Sequence, residues 1–509
     1  MKRVVIGGGG IAGLATAIKV KDLAPEGTEI VVLESGDRLG GNIRTERDDG
    51  FIVEWGPNGY LDNVPTTPAL IDRIGLAGEV QPADARAAKR FLYRGGQLHE
   101  LAASPLKFFG SSVLSWPGKL RILGEPFASA KPAGVDETVG AFAARRIGDE
   151  AAHVLVDAMV SGVFAGNVDK LSLASAFPKM AKMEAEHGSL FKAMMAAGKA
   201  RKKARRDAEQ LAAASGSVGG ADAKGAAERA AAERNKGGGG PAGPGGTLTS
   251  FRNGLDTFIL RLGEELGSSV QLRSPIQSIG WSETSDTWTV QVGTNGNRRE
   301  LEADALVLTM PAVHTSPLLA SLHGDLGREL SEIPTAPLAV VALAYDAEEI
   351  GGDPDGFGFL VPRGQGPRIL GCLWDSSLFP GRAPRGKVLL RAMIGGAHDP
   401  CAVDLSDDGL LREVRRDLEV AMGLRAEPIR TWVFRHRLGI AQYDVGHGAR
   451  LGRIHDALGA FPGLWLAGSS YYGVAMNACI ENAGEQAEAI VQYLRQPSAA
   501  RSVEVGERG

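Results

Sequence analysis

Cysteine is scarce. The chain has three, Cys372, Cys401 and Cys479, far apart in the sequence. An odd, dispersed set excludes a disulfide framework and a cysteine-rich metal site, and it suits a reducing compartment. Neither sign of charge dominates: 56 lysines and arginines face 60 acidic residues, a formal net charge of −4. Without a basic excess, nucleic acid is excluded as a default partner. No uninterrupted apolar run reaches the roughly 20 residues a membrane-spanning helix needs. The opening Met1-Lys2-Arg3-Val4-Val5-Ile6-Gly7 is too short in apolar residues, and too soon glycine-rich, to predict a secretory signal. Also missing are a nucleophile triad, a metal-ligand spacing and a base set in a recognisable motif. The expectation is a cytoplasmic protein with no metal.

Glycine, by contrast, is abundant, with 69 in 509 residues, about double the usual ~7%. The length suggests two to four structural units. Val4–Ile6 reads as a buried strand, Ile11 to about Lys21 as a helix and Ile30–Leu33 as a second buried strand, a βαβ opening. Residues 62–187 read as largely helical and proline-broken. The exception is Lys89 to Leu98, a β-hairpin turning at Gly95-Gly96. Within the helical part, Leu101–Phe127 is apolar, with Phe108, Phe109 and Trp116. Three readings stay open for it: core packing, a cover over a ligand cavity, or contact with a membrane surface. Residues 199–247 form a low-complexity insertion, with a basic cluster at Lys202–Arg206 that suits either a solvated helix face or acidic lipid. Order resumes at Leu248. A helix is expected over Asp256–Leu266, strands near 270–272, 276–281, 288–292 and 303–308, a helix over Asp404–Met422, and a closing strand, glycine loop and helix over 464–494.

The first chemical motif is Gly8-Gly9-Gly10-Ile11-Ala12-Gly13, a G-x-G-x-x-G between strand and helix. Gly8 permits the turn, Gly10 lets backbone amides approach a pyrophosphate, and Gly13 lets helix and strand pack closely. Glu34 ends the second strand 21 residues beyond Gly13, where a carboxylate can hold ribose hydroxyls. A glycine-rich turn without a ligand is the bland alternative. The run Glu34-Ser35-Gly36-Asp37-Arg38-Leu39-Gly40-Gly41-Asn42 suits an extended cofactor lying on backbone, and Gly56-Pro57-Asn58-Gly59 follows it.

With these segments the chain resembles the FAD-dependent amine oxidase superfamily. The C-terminal Gly468-Ser469-Ser470-Tyr471-Tyr472-Gly473-Val474-Ala475-Met476-Asn477-Ala478-Cys479-Ile480 looks like the protoporphyrinogen oxidases within it. Four further stretches are similar to that group: Ser161–Asn167, Lys89–Tyr93, Gly356–Pro362 and Leu438–Tyr443. The resemblance implies an α/β (α+β mixed) fold with a Rossmann-like FAD domain built from segments 1–60, 248–310 and 450–495. A mixed-sheet substrate domain would take 85–100 and 311–449, and a helical, membrane-associating domain 61–84 and 101–198. Residues 199–247 would be a flexible insertion and 496–509 a disordered tail. It implies six-electron oxidation of protoporphyrinogen IX in three FAD-mediated steps, with O2 as acceptor. Coproporphyrinogen III is the nearest alternative, an amine oxidase or carotenoid desaturase a further one, and a flavin-binding scaffold without turnover the last.

The resemblance also implies site residues. FAD would lie on Gly8, Gly9, Gly10, Ile11, Ala12, Gly13, Glu34, Ser35, Arg38, Gly41, Asn42, Gly56, Pro57, Asn58, Gly59, Ile276, Gly468, Ser469, Val474, Ala475 and Met476. It would be noncovalent, since Cys479 lies inside the helix and no Ser-Gly-Gly-Cys-Tyr pattern occurs. Arg90 would bind a propionate; from position alone it reads as a surface arginine. Gly162 would face the pyrrole nitrogens, and Asn58 the boundary between flavin and substrate. Leu360 and Trp374 would sandwich the rings or simply pack in the core. Asn42 stands where relatives carry a large side chain, and Ala478 where they carry Asp. By pathway logic ferrochelatase would receive the product. A homodimer, and peripheral contact with the inner face of the cytoplasmic membrane, complete the expectations.

Overall fold

A computed structural model describes residues 1–101, 105–131, 134–199, 203, 206, 246–294 and 297–496. Most of the low-complexity insertion and of the C-terminal tail lies outside the described residues. Five parallel strands form the first sheet, in the order Val270–Gln271, Glu29–Leu33, Arg3–Gly7, Ala305–Leu308, Leu464–Leu466. Their near-continuous Val, Ile and Leu content fits a sheet covered on both faces. On one face lie helices Ile11–Leu23, Asp256–Leu266 and Met476–Arg495, sharing a core with Val4, Ile6, Val32 and Val307. On the other, a three-stranded meander (Ile276–Ser282, Thr287–Thr294, Asn297–Ala303) packs Trp288 and Val290 against Val5, Leu306 and Leu308. Helices Ala312–Ala320 and Gly324–Ser331 join this second core through Leu318, Leu319, Leu326 and Leu330, although the sequence division grouped them with 311–449.

The larger sheet has seven strands, in the order Arg430–Ala441, Thr335–Asp346, Lys387–Gly395, Ile369–Trp374, Gly358–Leu360, Phe91–Arg94, Gln97–Glu100. The last two are the hairpin read from Gly95-Gly96, whose glycines adopt φ of 59° and 86°. It joins the sheet through a parallel pairing of Phe91 with Phe359. One sheet face packs on helix Asp407–Met422 through Leu410, Val414 and Leu418. That helix starts later than the expected Asp404. Ser406 caps it, accepting a hydrogen bond from the Gly409 amide at 3.1 Å, and residues Pro400–Asp404 form a separate 3-10 turn.

The opposite face looks toward helices Trp116–Leu123, Val139–Ile147 and Asp157–Phe164. A buried charge cluster ties the second of these helices to the Glu125–Phe127 turn and to helix Pro178–His187. Arg146 is fully buried and pairs with Glu125 and Glu184, while Glu125 also accepts from the Ser189 hydroxyl at 2.6 Å and the Leu190 amide at 2.9 Å.

Candidate functional site

The first strand ends in the glycine loop and the helix Ile11–Leu23 begins directly after it. Gly8 has φ of 111°, and a Cβ there would lie 2.5 Å from Thr309 Oγ1. A Cβ on Gly13 would lie 2.0 Å from the Gly8 carbonyl oxygen, so only glycine permits this helix–strand approach. Gly10, in contrast, faces open space with no atom within 4 Å of a built Cβ. The helix behind it has no capping side chain and no acidic residue in its first turn. Its first N–H groups therefore point outward unpaired, the condition for an anion at a helix N-terminus.

A second helix start of the same kind lies alongside. Met476–Arg495 also lacks a side-chain cap and first-turn acid, with Ala475 at its N-cap. Its glycine loop is close to the first: a Cβ on Gly468 would be 3.7 Å from Ala12 Cβ. The structure thus brings together Gly8, Gly9, Gly10, Ile11, Ala12, Gly13, Gly468, Ser469, Val474, Ala475 and Met476. Glu34 reaches the same loop, with Oε2 accepting from the Gly9 amide at 2.8 Å and Oε1 from the Gly36 amide at 2.7 Å; Ser35 Oγ lies 3.2 Å from Oε1. Ile276 lies over the loop's approach, its Cδ1 2.6 Å from a Cβ built on Gly7. Arg38 donates to the carbonyls of Leu39 (3.0 Å) and Gly41 (2.8 Å) and to no carboxylate among the described residues; burial lowers its affinity for a proton. Asn42 donates to the Gly439 carbonyl at 3.1 Å, so its side chain ties the glycine pair to the large sheet.

The segment Gly56-Pro57-Asn58-Gly59 threads between two backbones. A Cβ on Gly56 would be 2.4 Å from the Asn42 carbonyl oxygen, and one on Gly59 2.3 Å from that of Thr249. Two buried ion pairs hold its ends. Glu54 pairs with Arg382 at 2.8 Å, and Asp375 with Arg391 at 2.8 Å, all four side chains 1% exposed. Burial pushes the Glu54 carboxyl up, against the pull of Arg382.

Of the remaining expected residues, Arg90, Gly162 and Leu360 lie on the side where the large sheet meets the helices. Arg90 sits at the hairpin's entry. It is half-buried, its guanidinium 5.0 Å from the Phe357 ring centre, and it has no carboxylate partner among the described residues. Burial alone depresses its affinity for a proton. Gly162 and Leu360 meet directly: a Cβ on Gly162 would be 2.8 Å from Leu360 Cδ2. Gly162 is among the last four residues of helix Asp157–Phe164, which Ala165 ends at φ of 46°, so its carbonyl lacks an intrahelical donor. Trp374 is elsewhere. Strand alternation puts it with Cys372 and Phe359 on the opposite face, 5% exposed beneath helix Asp407–Met422 and 5.2 Å from the Phe91 ring. The residues sharing the face of Leu360 are Gly371, Leu373, Arg391 and Met393, by the registers Leu360–Gly371, Gly371–Met393 and Leu373–Arg391.

Sequence reading missed Leu373 and Met393. The two-residue period through Cys372 and Trp374 was the available signal. It also missed Asp375 and Arg391, legible only as charges interrupting apolar strands, and Tyr443. The Tyr443 hydroxyl donates to the Ser469 carbonyl and accepts from the Gly473 amide, both at 2.7 Å, pinning the second glycine loop at two points. Its ring stacks on His447 at 4.2 Å. Burial lowers the His447 imidazole to about 4 and pushes the Cys479 thiol up to about 12. A thiol so poorly ionised is a weak nucleophile. Among the described residues no group of three His, Cys, Asp or Glu side chains could hold a metal ion.

Two adjacent uncapped helix starts, an open glycine surface at Gly10 and a strand-end carboxylate fit the phosphates and ribose of an extended dinucleotide. Residues 11–491 match the family of flavin-containing amine oxidoreductases. The chain is 30% identical to the coproporphyrinogen III oxidase of Bacillus subtilis (strain 168), covering 97% of this chain and 98% of that protein. It is 35% identical to the protoporphyrinogen oxidase of Bos taurus, covering 96% and 98%. A solved structure from Exiguobacterium sp. 255-15, to which protoporphyrinogen oxidase activity has been ascribed, superposes with a TM-score of 0.76 at 27% identity over 97% of this chain and 99% of that one. The chain belongs to the flavin-containing amine oxidoreductases and is an FAD-dependent oxidoreductase.

Proposed function

We propose that this enzyme oxidises a porphyrinogen to the porphyrin, with protoporphyrinogen IX as substrate and O2 as final acceptor. The observation that carries the reading is Arg90, a half-buried guanidinium without a carboxylate partner among the described residues. A desolvated cation of this kind is satisfied by a ligand's carboxylate, which it can bind with two parallel hydrogen bonds. The apolar Leu360, Leu373 and Met393 share the sheet face near Gly162, which suits a large apolar macrocycle. The Gly162 carbonyl and the negative end of its helix favour ring N–H groups.

FAD, held noncovalently, supplies the two-electron acceptance and delivery to O2, so that three rounds remove six electrons and six hydrogens and release three H2O2. The chain's own residues bind, orient and exclude water. No side chain of the site needs to act as acid or base on this reading.

A second reading is coproporphyrinogen III, which carries four propionates. The 30% identity over nearly the whole chain to a relative named for that substrate favours it. The test is porphyrin fluorescence growth in air with each porphyrinogen in parallel. Faster turnover of protoporphyrinogen supports the first reading, and the reverse supports the second. Rates no higher than autoxidation, with FAD bound, reject both.

We also propose peripheral membrane contact by the helical part. Trp116, Leu120 and Leu123 are 65%, 61% and 50% exposed at helical spacing, and Phe127 beyond them is 89% exposed. Phe191, Met194 and Met195 add exposed apolar surface on helical residues 190–199, whose start is bound to Glu125 two residues before Phe127. Among the described residues no helix is long and apolar enough to cross a membrane. Liposome flotation should be lost in Leu120→Glu/Phe127→Glu; unchanged flotation rejects the contact.

A further inference from the structure

We propose that the buried pair Asp375–Arg391 is a positioning device: it fixes the amide of Asn58 so that the carbonyl oxygen, and not the NH2, faces the site as an acceptor for a ring N–H. This rests on the FAD and porphyrinogen reading above, because both of those ligands carry ring N–H donors.

The pair sits where cofactor loop and large sheet meet. Arg391 donates from Nε to Asp375 Oδ2 at 2.8 Å, and from Nη1 to the carbonyls of Glu54 at 3.1 Å and Gly56 at 2.7 Å. One guanidinium therefore grips the backbone just ahead of Asn58 and also holds Asp375. The other oxygen of Asp375, Oδ1, accepts from Asn58 Nδ2 at 3.0 Å. A carboxylate partnered by a guanidinium only accepts hydrogen bonds. A flipped Asn58 would set oxygen against oxygen, so the chemistry of Asp375 decides the orientation of the amide.

That orientation leaves Asn58 Oδ1 buried and without a partner, in a residue 8% exposed. A buried acceptor left empty is destabilising, and such groups are rare in folded proteins. The pair that enforces this is itself a poor source of stability, since buried ion pairs barely offset their desolvation. It also interrupts an apolar pattern, with Arg391 at the centre of Lys387–Gly395, between Leu389, Leu390 and Ala392. A device that contributes little stability, breaks the strand pattern and leaves one oxygen unmet is accounted for by a donor that arrives with a ligand. By register Arg391 lies opposite Leu373, on the sheet face that carries Leu360 and Met393, so the amide stands at the edge of the apolar surface.

The donor is a ring N–H, from the isoalloxazine or from a pyrrole. Two measurements separate the sources: the FAD midpoint potential without substrate, and the binding of protoporphyrin IX by fluorescence titration together with KM. Asn58→Ala removes the acceptor. Asp375→Asn lets the amide turn and fill its own oxygen. Asp375→Asn/Arg391→Gln does the same without stranding a buried charge, and it decides the matter if the single variant does not fold. Asp375→Glu keeps an acceptor-only group. We expect Asn58→Ala, Asp375→Asn and the double variant to shift the same quantity alike, by about tenfold in affinity or about 30 mV for a two-electron couple, with Asp375→Glu staying near wild type. Loss in Asn58→Ala with both Asp375→Asn variants unchanged overturns the positioning role. No change in either arm overturns the acceptor itself. Failure of wild type to bind or oxidise any porphyrin substrate refutes the porphyrinogen reading alone; the FAD arm then decides this one, and a flat potential there rejects it.

Discussion

Replacing Tyr443 with Phe removes one oxygen atom and tests whether the second glycine loop is held ready for the cofactor. The ring is 2% exposed, and its stacking on His447 at 4.2 Å survives the change. What disappears is the bridge from the Ser469 carbonyl to the Gly473 amide. Each group, left buried and unpaired, costs roughly 1–3 kcal/mol; taking the lower half of that range for each gives about 2–4 kcal/mol for the pair. In the cofactor-free protein the loop can turn both groups to water, so the cost falls on binding. At 1.4 kcal/mol per decade this weakens FAD roughly 30-fold to several hundred-fold. The assay is titration of apoprotein with FAD, followed by quenching of flavin fluorescence, alongside melting curves of apo- and holoprotein. A dissociation constant within threefold of wild type would refute the reasoning. So would an apoprotein Tm that falls as far as the holoprotein Tm, because the loop would then be fixed before FAD arrives.

Three other substitutions or conditions follow from the same geometry. Arg90→Ala should raise KM for a porphyrinogen about 10- to 100-fold, the range of a hydrogen bond to a charged group, with kcat little changed; equal KM values would remove Arg90 from the site. Gly162→Ala places a methyl 2.8 Å from Leu360 Cδ2 and should weaken protoporphyrin IX binding while FAD affinity stays within twofold. His447 is held neutral, its pKa displaced by burial from 6.5 to about 4. Its unfolded imidazole takes up a proton below pH 6.5 while the folded one does not. Stability is therefore intact above that pH and falls as pH drops toward 4, by about 3 kcal/mol at most. Urea denaturation across pH 4–7 should show this slope in wild type and a shallower one in His447→Gln; identical slopes refute the assignment.

The cofactor half was legible because its chemistry is local in sequence. Gly8, Gly13 and Glu34 fall within one βαβ unit, and each is demanded by a nearby backbone contact: the Gly8 carbonyl 2.0 Å from a Cβ on Gly13, the Gly9 amide on Glu34. The hairpin at Gly95-Gly96 was legible for the same reason. The substrate half was not, because it is made by pairing across the sheet. Whether Leu373 or Trp374 shares the face of Leu360 depends on a one-residue phase along Ile369–Trp374. That phase is set by partners on Gly358–Leu360 and Lys387–Gly395, which no local pattern reveals. Asp375 and Arg391 are 16 residues apart, and Arg391 meets Glu54 across 337. Such pairings become visible only once the fold exists.

On the porphyrinogen reading the two halves must nevertheless keep a fixed relation, because the macrocycle would have to present its ring carbons to the flavin. Across the junction the Asn42 side chain donates to the Gly439 carbonyl, and the Ile52 amide to the Arg382 carbonyl at 3.0 Å. The Glu54–Arg382 and Asp375–Arg391 pairs run between the segment 54–58 and the strand and loop residues of the large sheet. Hydrophobic packing tolerates small slides, since apolar contacts are nondirectional. A guanidinium with three directional acceptors does not. Placing charge at this junction gives up stabilisation that Leu or Met would supply, and it gains a defined orientation. An Arg391→Met/Asp375→Leu variant separates the two: its melting temperature should stay near that of wild type, since the apolar packing gained offsets the Glu54 and Gly56 carbonyls and the Asn58 NH2 left unpaired, while turnover falls. A variant that is less stable and equally active would mean the pair serves the fold and not the site.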